Sequence, residues 1–141
     1  MFRKVSLKEK SYRLDLRILH PTRPAPQIIE QFPFPTHKSN SAGEQRNRQY
    51  PLTKGTHTRV SFKLHERPLE FDEVDFEEFL LQQLSKINFD YTSRLLEEGA
   101  KCKLVVGVFS NESAMFELDT ETISQLMEAS FGISVYFYGG D

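Results

Sequence analysis

The chain has no tryptophan and a single cysteine, Cys102, in 141 residues. One cysteine excludes a disulfide framework within the chain and fits a reducing compartment. Without tryptophan, 12 Phe and 5 Tyr must supply the large core side chains, and a buried Phe needs no hydrogen-bond partner. No apolar run approaches the ~20 residues that span a bilayer. The basic stretch Met1 to Lys10 lacks the apolar segment of a secretory signal. The expectation is a cytoplasmic protein with no membrane partner.

The chemistry of catalysis is equally sparse. His20, His37, His57 and His65 include no pair at metal-ligand spacing. Lys101 and Lys103 flank Cys102 but belong to the other face of a strand, so the thiol reads as a buried core group. Glu77-Glu78 and Glu97-Glu98 are sequence neighbours on helices and diverge around the axis, which is wrong for an acid–base pair. Gly43, Gly55 and Gly139-Gly140 form no phosphate loop. The polar Ser110-Asn111-Glu112-Ser113 reads as a turn. The reading is a non-enzyme with no cofactor and no metal.

What is present is charge, sorted by half. Residues 1–68 carry 14 Lys+Arg against 5 Asp+Glu, a net +9, and residues 69–141 carry 4 against 15, a net −11. Blocks of this size point to a charged partner or to one half of the fold laid against the other.

The length suits one domain. Residues 1–9 read as an N-terminal extension and 10–141 as a single domain, with a long polar loop at 36–57 that holds Lys38, Arg46, Arg48 and Lys54. A loop that long is often functional or mobile, and Gln49–Thr53 is its candidate for a short edge strand. Strict alternation predicts strands at Tyr12–Leu19 and Val60–His65; the apolar run Cys102–Phe109 predicts a central strand with Met115–Leu118 as its hairpin partner, and Ile133–Tyr138 a last strand. Pro26 opens a short helix. A helix capped by Asp72 or Asp75 carries Phe76, Phe79, Leu80, Leu84 and Ile87 on one face. A shorter helix at Tyr91–Glu98 ends at Gly99, and a helix from Asp119 or Thr120 carries Ile123, Leu126, Met127 and Phe131, closed by Gly132. Leu14, Leu16, Phe62, Leu64, Leu104, Val106 and Val135 join those helical positions in the expected core. The fold class is α+β: a two-layer sandwich with a mixed or mostly antiparallel sheet of about five strands and helices on one face.

The order of landmarks resembles the bacterial family catalogued as domain of unknown function 4279. The pieces are Tyr12-Arg-Leu-Asp-Leu-Arg-Ile18, Pro26-Gln-Ile28, Phe34-Pro-Thr36, Ala42-Gly-Glu44, Val60-Ser-Phe-Lys-Leu64, the Phe76–Leu84 helix and Leu126 with Ile133-Ser-Val-Tyr136. They span residues 10 to 138. Where that family often has Trp in its second main strand, Phe62 stands nearby. The resemblance carries over no catalytic residues.

Two surfaces are candidates for binding. One is the acidic helix and its approach: Glu70, Asp72, Glu73, Asp75, Glu77 and Glu78, which would steer in a basic protein partner. The other is the polar sheet face, where Arg13, Arg17, Lys63, His65, Lys101, Lys103, Tyr136 and Tyr138 fall on the off-core side, with Arg46 and Arg48 in the loop. There cations would meet phosphates and tyrosines would stack bases. The first expectation is a non-catalytic protein–protein interaction module, regulatory or immunity-type, binding an unknown partner through a charged surface. Single-stranded nucleic-acid binding on the basic sheet face is the alternative, and a homodimer is a further candidate assembly.

Overall fold

A computed structural model describes residues 10–43, 57–111 and 117–139. Within these residues six strands form one open sheet: β1 (Ser11–His20), β2 (Thr36–Asn40), β3 (Thr58–Lys63), β4 (Leu69–Glu70), β5 (Lys101–Ser110) and β6 (Phe131–Gly139). Among the described residues four helices accompany them: α1 (Ala25–Ile29), α2 (Phe76–Leu84), α3 (Phe89–Glu97) and α4 (Thr120–Ala129). The strand order is β2-β3-β1-β5-β6, and β4 pairs with the start of β1. All pairings are antiparallel except β5–β6, where α4 makes the crossover that a parallel neighbour requires. This is the α+β class expected from the alternation.

One sheet face carries the core. Leu14 and Leu16 of β1, Phe62 of β3 and Leu104 and Val106 of β5 are buried in one cluster with Ile28, Leu80, Leu84, Leu95 and Leu126 from all four helices. The strand phases therefore match the expectation. Local chemistry sets the helix ends. Asp75, Asn88 and Asp119 cap α2, α3 and α4, each accepting from a backbone N–H three residues on. Gly99 ends α3 in the left-handed region at φ +98°, where a Cβ would also meet Pro21 at 3.3 Å.

Several expectations fail for identifiable reasons. The long loop at 36–57 is not all loop: residues 36–40 form β2, which lacks apolar alternation because it is an edge with both faces exposed. The edge strand proposed at Gln49–Thr53 lies outside the described residues. Leu118 is not in a strand, because both sides of β5 are already taken by β1 and β6; Met115 lies outside the described residues. α4 buries Thr122, Leu126 and Ala129, a stripe turned one position from the expected one, so Ile123 and Met127 are 43% and 73% exposed. Ser130, not Gly132, ends that helix in the left-handed region, and Phe131 already belongs to β6. Phe79 and Val135 are only partly buried at the margin of the core.

Candidate functional site

Directly opposed residues of a sheet share a face, so the strand register arranges the open face in rows. The first row runs Asn40, Arg59, Leu19, Lys101, and the second Lys38, Ser61, Arg17, Lys103. The third is Lys63, Asp15, Val105, Ser134. The fourth is Arg13, Gly107, Tyr136 and the fifth Ser11, Phe109, Tyr138, with Glu70 of β4 beside Ser11. Among the described residues seven cations thus share the face with two carboxylates. Among the described residues the ion pairs are Arg13–Asp15, His20–Glu98 and Arg23–Glu98. The two charge blocks of the sequence therefore do not neutralise one another on this face.

The face is graded from one end to the other. Over the first two rows lies a depression of about 510 Å³ walled by Arg17, Lys38, Arg59, Lys101 and Lys103. Arg17 and Lys103 are directly opposed there; like charges in that relation destabilise a sheet. Over the last three rows lies a smaller one of about 270 Å³, lined by Arg13, Asp15 and the rings of Phe109, Tyr136 and Tyr138. Phe109 and Tyr138 stack at 4.9 Å. The stack lies over Gly107, where a Cβ would meet the Tyr138 ring at 3.4 Å, an ordinary contact distance. At the centre, Asp15 Oδ1 is buried with no hydrogen-bond partner, 3.8 Å from Arg13 Nε.

The structure thus brings together Arg13, Arg17, Lys63, Lys101, Lys103, Tyr136 and Tyr138, as the alternation implied. Arg46 and Arg48 lie outside the described residues. His65 does not belong to the face. It follows the end of β3, where its Nε2 accepts from Leu14 N at 2.9 Å and its Nδ1 therefore donates to Arg67 O. Its ring stands edge-on to Tyr12 and Phe79. Burial holds its pKa below the ordinary histidine value. The ring supplies the acceptor that the strand would have provided one residue further on. Two residues were not expected on the face, Arg59 and Lys38, the latter having been assigned to the loop. Arg59 continues the alternation of Val60–Lys63 and was legible; Lys38 sits on an edge strand with no pattern to reveal it.

The acidic residues have a different disposition. Asp75 is the α2 cap, accepting from Glu78 N at 2.9 Å. Glu77 accepts from Asp119 N and so ties α2 to the start of α4. Glu70 pairs in β4. Asp72, Glu73 and Glu78 are exposed.

Elsewhere, titratable groups have structural work. His20 Nδ1 accepts from the backbone of Thr22 and Arg23, which fixes the proton on Nε2, and that nitrogen donates to Glu98 Oε1 at 2.7 Å. Arg23 also donates to Glu98, and these donors hold the carboxyl down at about 2. Cys102 lies on the core side, and burial pushes its thiol up to about 12. Among the described residues no three His, Cys, Asp or Glu side chains come together to hold a metal ion. Among them, too, no helix is long and apolar enough to cross a membrane.

No family model matches the chain, and neither curated proteins nor solved structures give a match.

Proposed function

We propose that the chain is a non-catalytic interaction module, regulatory or immunity-type, whose open sheet face binds an acidic protein surface. The observation that carries this is the opposed Arg17–Lys103 pair, with Lys38, Arg59 and Lys101 around the same depression. A fold keeps a local violation of this kind where function needs it. An acidic partner would relieve the repulsion and be steered to the face. The acidic helix is the weaker surface, because Asp75 and Glu77 are committed to capping and to tying α4 down.

A single nucleic-acid strand is less suited to the face. Five of the cations cluster around the first depression, which no Phe or Tyr ring lines, and at the other end, beside Arg13, Tyr138 is already stacked on Phe109 rather than open to a base. The test is affinity capture from a native lysate, with and without nuclease. The baits are the wild type, Arg17→Glu/Lys103→Glu, and Asp72→Asn/Glu78→Gln. A protein retained after nuclease, lost with the basic-face variant and kept by the acidic-helix variant is the expected result. Loss of everything on nuclease treatment would favour nucleic acid; loss only with the acidic-helix variant would move the surface.

A further inference from the structure

The structure assigns a second role to β6: we propose that its free edge pairs antiparallel with β6 of a second copy, giving a two-fold homodimer with one continuous sheet. This is independent of what the basic face binds. Among the described residues, β6 has β5 on one side and no neighbour on the other. The two edges of the sheet are treated differently. β2 is five residues long, contains His37 and Lys38, follows Pro33 and Pro35, and has a register break between Thr36 and Lys38. Those are the devices that keep an edge from pairing. β6 runs for nine residues, Phe131 to Gly139, with no charged residue, no proline and no break in its register.

The side chains around that edge are apolar and uncovered. Ile133 is 36% exposed, Phe137 66%, Tyr136 46% and Tyr138 51%. On the adjoining α4, Ile123 and Met127 are 43% and 73% exposed. At 100° per residue these two share an uncharged stripe with Thr120, while Glu121 and Glu128 fall well round the helix. The exposed area of these six residues amounts to roughly 600 Å² per copy, the upper limit of what they can bury, against the ~800 Å² per partner of a standard interface.

A second copy fits this edge better than another partner because the strand is self-complementary. In an antiparallel pair the two-fold axis stands perpendicular to the sheet, and opposed residues point to the same side. Ile133, Val135 and Phe137 would meet their own kind on the helix side, Tyr136 and Tyr138 on the open side. No like charges are brought together, since the strand has none. The two basic faces would then lie on one side of the extended sheet and present a doubled surface.

The test is sedimentation equilibrium of the full chain from about 1 to 200 µM, with far-UV circular dichroism as a check of folding. The wild type is expected at twice 16.4 kDa, with a Kd of ~10 µM or tighter. Phe137→Lys should raise that Kd at least ~10-fold, because it places a charge on the edge opposite apolar groups. Met127→Lys, on the exposed side of α4, is the second variant should the first fail to fold. Lys38→Glu, at the β2 edge, should leave the dimer unchanged. A wild type that stays monomeric throughout overturns the proposal. So does a dimer that ignores both Lys substitutions or dissociates with Lys38→Glu, since the copies would then meet elsewhere.

Discussion

Replacing His65 by Ala removes a backbone acceptor, and the cost follows from what surrounds it. Leu14 is fully buried, and its N–H loses the His65 Nε2 partner at 2.9 Å. An unsatisfied buried donor costs ~1–3 kcal/mol. The edge-on contacts with Tyr12, at 6.3 Å between centroids, and Phe79, at 5.3 Å, go as well; such ring pairs contribute ~0.5–1.5 kcal/mol each. Since His65 is only half-buried and water can reach part of the gap, about 2–3 kcal/mol is expected at neutral pH. The pH dependence gives a second check. The native pKa of His65 lies below its ordinary 6.5. Above 6.5 both states are neutral and the contribution is complete. As pH falls, the unfolded chain takes up the proton first, and the contribution is lost progressively down through the native pKa. Urea unfolding of wild type and His65→Ala at pH 8 and pH 5 would show the difference between them shrinking with acid. A variant within ~0.5 kcal/mol of wild type at pH 8, or a difference that grows at pH 5, would refute this role.

Two further outcomes follow from groups away from the face. Glu98 is held down to about 2 by Arg23 and His20, so its stabilisation is present above the ordinary value of 4.5 and lost as pH falls towards 2; an acid titration of Glu98→Gln should lack that part of the wild-type decline. Cys102 is buried with its thiol raised to about 12, so a thiol reagent at pH 8 should label the native protein no faster than it unfolds and label the urea-unfolded chain at once; rapid native labelling would place the thiol at the surface.

How much was legible in the sequence depended on whether a segment buries one face. β1 and β3 each pack a single side, so their alternation carried the phase and the placement of Arg13, Arg17 and Lys63; β5 was marked by its apolar run, since Val105 is buried on the other side too, and only its start, with Lys101 and Lys103 flanking Cys102, alternates. β2 buries neither face, so nothing marked it as a strand, and Lys38 was read as a loop cation. α4 packs on the helix side of the sheet near β6 and buries only a narrow stripe, Thr122, Leu126 and Ala129. Its apolar Ile123 and Met127 suggested a core face that tertiary packing does not use. The hairpin expected after β5 failed for a topological reason, since β6 returns parallel and occupies that side. His65 looked like one more alternating position; only the end of β3 at Lys63 turned it into a hydrogen-bond acceptor for Leu14.

The sign of one stability change tests most directly whether the basic face is kept at the expense of the fold. Lys103→Glu puts an opposite charge directly across from Arg17. Both side chains are exposed, so the gain is small: about 0.5 kcal/mol in urea unfolding at low salt, disappearing near 1 M salt as the charges are screened. A face held for binding should yield that salt-sensitive gain, since repulsion gives way to attraction. A Lys103→Glu protein that is less stable than wild type at low salt would mean that no strain is stored between Arg17 and Lys103, and that the basic face is ordinary solvated surface.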